Sequence, residues 1–185
     1  MHISKVMAQY ESLVKDKKNP AKSDVDALNK DCRECLTSIN DKLQMCINMF
    51  NSLSGDIGGL LKKEFPHDQS MALYSGVVNE FIRSKPVEPI SFFATNVYSN
   101  DIYRKSILEG NDKFFLGNSY EEVGADSDAV KMMFDFKSSW GKLNDSNKEY
   151  IKNVFKTLVK ITAQYIDEKY NGNQVAIILT KLSSL

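Results

Sequence analysis

Phe134-Asp135-Phe136-Lys137-Ser138-Ser139-Trp140, then Gly141-Lys142-Leu143-Asn144-Asp145 and a run to Tyr170, is the stretch that decides the fold. It reads as a short aromatic segment, a turn and one long helix. Ser146-Asn147-Lys148-Glu149 has the S-x-x-E form of a capping box, in which the serine hydroxyl accepts from the Glu149 backbone N–H and the carboxylate reaches back. Behind it, Ile151, Val154, Phe155, Leu158, Ile161, Thr162, Tyr165 and Ile166 recur at helical spacing. That predicts a broad apolar face, with Lys148, Lys152, Lys156, Lys160 and Asp167 largely directed away from it. Gly172 is the expected stop. The apolar tail at 174–181 is expected as a separate last helix, since no partner strand is in sight for it.

Toward the N-terminus the pattern stays helical. Ile3, Val6, Met7, Tyr10, Leu13 and Val14 predict a helix over 3–16 that Asn19-Pro20 breaks. Ser23-Asp24 caps the next helix. Its apolar positions are Val25, Leu28, Cys32, Cys35, Ile39, Leu43, Cys46, Phe50 and Leu53, a heptad seam with one extra residue after Ile39. A helix over 24–53 would be roughly 45 Å long and needs a partner along most of its length, either the first helix folding back or another chain. Ser54-Gly55-Asp56-Ile57-Gly58-Gly59 is expected to loosen or kink it, with Ile57, Leu60 and Leu61 continuing the face.

Further helices are expected from Asp68 or Gln69 to just before Lys85-Pro86, from about Pro89 through Tyr98, and over 101–108 with Gly110 ending it. Lys113-Phe114-Phe115-Leu116 reads as an apolar anchor. The acidic, glycine-rich 117–128 reads as an exposed loop, the most mobile part, and 129–137 as a short helix. The expected fold is therefore all-α: an irregular helical bundle with a long N-terminal heptad-patterned helix or helical hairpin. The pattern divides it into an N-terminal arm or hairpin, 1–62, and a bundle domain, 63–185.

No constellation of reactive groups emerges. Cys32-Arg33-Glu34-Cys35 is a CxxC, but it lies inside a predicted helix on the apolar seam, where cysteine serves as a small hydrophobe. A structural zinc wants four ligands, and beyond this pair only Cys46, His67 and His2 are in hand, at no metal-binding spacing. His67 follows Phe65-Pro66 and reads as a turn residue. Asp135 beside Trp140 reads as a turn cap, with Phe134, Phe136 and Trp140 anchoring it. The glycines at 55–59 lack the G-K-[ST] ending of a phosphate loop. Phe92, Phe93, Tyr98, Tyr103, Phe114 and Phe115 read as core. The lysines over 148–160 read as a solvated face. No catalytic residue, cofactor or metal is therefore expected.

The 24 basic and 24 acidic residues give a formal net charge of zero, without the basic excess typical of nucleic-acid binders. Three cysteines, an odd count without framework spacing, point to a reducing compartment. The N-terminus carries no secretory h-region, and no apolar run is long enough to span a bilayer. A soluble intracellular protein is the expectation.

Four stretches carry a likeness: Glu64-Phe65-Pro66, Ser91-Phe92-Phe93, Asp135-Phe136-Lys137-Ser138-Ser139-Trp140 and Lys148-Glu149-Tyr150-Ile151. In these the chain, over roughly 60–165, resembles a family of short all-α proteins from the large DNA viruses of eukaryotes, the giant and algal viruses. Lys152 and Met132-Met133 depart from the residues usual there. The resemblance implies a viral protein of the virion or the host cytoplasm and transfers no catalytic residue.

Together these readings point to a non-enzymatic structural or interaction protein, a minor capsid-associated or packaged virion component acting through helix–helix contacts. Its partner would be another viral protein or a second copy, and the seam residues Val25, Leu28, Ile39, Leu43, Phe50 and Leu53 are the expected contacts. The alternative is a regulatory module engaging host or viral machinery, or nucleic acid through the 148–160 lysines. Neither nucleic acid nor a small-molecule substrate is the expected partner.

Overall fold

The computed structural model describes residues 3–16, 20–117 and 137–184, and among these every regular element is helical. The protein is an irregular all-α bundle with a long N-terminal helix. In chain order the helices are α1 (Ile3–Asp16), α2 (Lys22–Glu64), α3 (Gln69–Ser84), α4 (Glu88–Phe93), α5 (Asp101–Glu109), α6 (Lys113–Gly117), α7 (Lys137–Trp140) and α8 (Asp145–Leu182). A π-helical turn, Ala94–Tyr98, extends α4. Most of the expected 117–128 loop and 129–137 helix, and Asp135 with its neighbours, lie outside the described residues.

Helix ends follow local chemistry where that chemistry is strong. Asn100 caps α5, its side-chain oxygen accepting from Ile102 N at 3.0 Å and Tyr103 N at 3.2 Å. Gly110 ends α5 in the left-handed region at φ 69°, where a side chain would be strained. Its N–H and that of Asn111 donate to the carbonyls of Ile107 and Ser106, the paired bonds of a Schellman turn. Pro89 sits in the first turn of α4, where its missing N–H costs nothing.

Three expectations need correction. The cap of α8 is Asn144, whose Oδ1 accepts from Asn147 N at 2.9 Å, so the helix begins before the Ser146–Glu149 box. Asparagine caps as well as serine, and Asn144 directly follows the buried Leu143. Second, α2 runs unbroken through Gly55, Gly58 and Gly59 for 43 residues. Between and beyond the glycines it still buries Ile57 and Leu61, and packing of that face outweighs the low helix propensity of glycine. Third, Gly172 does not stop α8, which continues for 38 residues and absorbs the supposed separate tail helix. A Cβ at Gly172 would lie 3.4 Å from Ile39 Cγ2, so this glycine is a place of close helix approach.

Gly59 provides a direct check of the continuous α2. A Cβ there would meet nothing within 4 Å. Gly59→Ala should raise the unfolding free energy by about 1 kcal/mol, the usual gain of alanine over glycine in a helix interior. Urea unfolding measures it, and a destabilised variant would mean that the helix is interrupted there.

The chain packs as two compact units, and α2 and α8 each supply a segment to both. These units do not follow the 1–62 and 63–185 division of the hydrophobic pattern. The first comprises Met1–Met45 and Tyr165–Leu185. Its core joins Val6 of α1, Leu28, Cys32, Cys35 and Ile39 of α2, and Val175, Ile178 and Leu182 of α8. The second comprises Cys46–Gln164 and is built on aromatic rings. Phe115 stacks on Trp140 with centroids 4.0 Å apart, and Phe155 meets Phe114 and Phe115 edge-on at 5.4 and 5.1 Å. Phe50 and Phe93 close the cluster at 5.4 Å. Phe93, Phe114, Phe115 and Trp140 are thus buried as expected, whereas Phe92, Tyr98 and Tyr103 are half-buried.

Candidate interaction surface

The heptad seam faces inward. Leu28 and Ile39 are buried in the first unit, with Val25 and Leu43 half-buried against the same core. Phe50 is fully buried in the second unit, and Leu53 is half-buried. The six expected contact residues therefore pack largely within their own chain. The reason is that α1 and the end of α8 supply the helical partners in the first unit, and Phe93 meets Phe50 in the second.

The cysteines are core residues. Cys32, Cys35 and Cys46 are all buried and carry thiols rather than disulfides. Burial pushes the Cys32 thiol up to about 11, and burial raises that of Cys35 as well. Both thiols are therefore held in the protonated form, which is the less nucleophilic one. Among the described residues no group of three His, Cys, Asp or Glu side chains is placed to hold a metal ion.

The lysines of α8 divide. Lys160 is exposed, but the Lys152 side chain is only 17% exposed and its ammonium lies 2.5 Å from Asp112 Oδ1. The Lys156 ammonium lies 3.3 Å from where a Cβ would stand on Gly110, at the C-terminal end of α5 where the helix dipole favours a cation. Lys148, also mostly covered, pairs with Asp145. The expected solvated stripe is thus largely turned onto the corner between α5 and α6.

Asp112 is the anionic centre of that corner. The Lys152 hydrogen bond holds its carboxyl below the usual carboxylate range, outweighing partial desolvation, and the Trp140 indole and Lys148 act in the same direction. A depressed folded-state pKa contributes stability that is present above the unfolded value and lost as pH falls through the folded one. Asp112→Asn should therefore destabilise the protein more near neutrality than near pH ~2, below the ordinary aspartate value of about 3.9, where the contribution is being lost. Because the Asp112 side chain is 46% exposed, solvent screening keeps the effect small. Denaturant unfolding of both proteins at the two pH values checks it; an equal deficit at both would remove the ion pair from the account.

Exposed apolar surface remains on the outer side of α8. Ile166, Tyr170 and Ile177 are 36%, 63% and 47% exposed. Steps of four and seven set them on one helix face with Asn173 between. The buried Val175 and Ile178 occupy the inward side of the same segment. The concavities of this unit are modest: an open groove of about 560 Å³ between α1 and α2, lined by residues including Ala8, Ser12 and Ala27, and a 150 Å³ cleft walled by the Lys42–Glu168 ion pair. The groove is lined mainly by small and apolar side chains, and in the cleft Cys35 and Ser38 stand beside the Lys42–Glu168 pair.

No family model matches the chain, and no curated protein or solved structure does so at a significant level.

What the arrangement offers chemically is contact. An aromatic ring and two branched aliphatic side chains on one rigid helix resemble the anchors of helix-mediated binding. Sequence reasoning placed Ile166 on the buried stripe, counted Ile177 only among the apolar residues of the tail, and assigned Tyr170 no role. The signal was present but ambiguous, because residues 165–179 are apolar on several sides and periodicity alone does not say which side packs inward. Among the described residues no helix is long and apolar enough to cross a membrane.

Proposed function

We propose that this chain is a non-enzymatic protein that works by helix–helix contact with another protein, as a minor structural component of the particle of a large DNA virus. The observation that carries the contact reading is the exposed apolar face of α8, Ile166, Tyr170 and Ile177. Buried thiols, and an α5–α6 corner whose ions pair with one another, support a contact role over a chemical one. The viral setting rests on the likeness at Glu64-Phe65-Pro66, Ser91-Phe92-Phe93, Asp135–Trp140 and Lys148–Ile151. A nucleic-acid role has less support, because Lys148 and Lys152 are mostly covered by the chain itself.

The test combines association with location. The wild-type chain and a Tyr170→Asp/Ile177→Asp variant are compared by sedimentation and by capture from infected cells with mass spectrometry, and purified particles are searched for the chain. A specific self-association or viral partner should weaken more than about tenfold in the variant, since a tyrosine anchor is commonly worth about 2 kcal/mol. The chain should also be recovered in particles. A wild-type chain that stays monomeric, captures nothing the variant does not, and is absent from particles would overturn the reading.

A further inference from the structure

We draw no further inference here: the strongest candidate, the exposed face of Ile166, Tyr170 and Ile177 on α8, belongs to the surface already described, and nothing in the structure shows what covers it.

Discussion

Phe155→Ala should lower the unfolding free energy by about 3–5 kcal/mol, the usual cost of truncating a buried phenylalanine. Phe155 is fully buried and lies between three other rings, with Phe93, Phe114 and Phe115 at centroid distances of 6.1, 5.4 and 5.1 Å. Two losses add: the apolar area of the ring, and the cavity its rigid neighbours cannot collapse to fill. The edge-on geometry contributes a further term, because edge-to-face pairs are favoured beyond their area. A domain of this size has a total stability of about 5–15 kcal/mol, so the variant should be partly unfolded near body temperature. Chemical denaturation followed by far-ultraviolet circular dichroism checks it. A loss below about 1 kcal/mol would mean that the aromatic cluster is loosely packed.

Val175→Asp should cost at least about 4 kcal/mol, because it places an unpaired charge among apolar side chains. Val175 is fully buried with Val6, Leu28 and Ile39 in the core of the first unit. The control is two residues away. Ile177→Asp introduces the same charge at a half-exposed position and should change stability by less than about 0.5 kcal/mol. Thermal unfolding of the pair reads the phase of α8 past Gly172. If both variants unfold the protein, or neither does, the inward and outward sides of this segment are wrongly assigned.

Much of the fold was legible because local and tertiary preferences agree. The N-terminal helix over 3–16, the third helix ending before Lys85-Pro86, and the fifth ending at Gly110 are marked by residues whose backbone limits leave little choice. The two longest helices were not legible in full. Gly55–Gly59 and Gly172 signal interruption when read locally, and only the burial of Ile57 and Leu61, or of Ile178 and Leu182, carries the helices past them. Asn144 was passed over as a cap because Ser146 and Glu149 make a more familiar pattern two residues later. The destination of the lysine stripe was hidden for a different reason. Nothing in the spacing of Lys148, Lys152 and Lys156 says that Asp112 and the end of another helix will meet them. The outward face of α8 escaped notice in the same way, since its inward face is equally apolar.

The placement of the thiols makes the protein its own reporter of breathing motions. Cys32 and Cys35 belong to the first unit and Cys46 to the second, and all three are buried. A small alkylating reagent reaches such a group only when its surroundings open transiently, so the labelling rate measures the free energy of that opening. Single-cysteine variants followed under native conditions would therefore time each unit separately. Matching rates would identify one cooperative event, and divergent rates would rank the two units by resistance to opening.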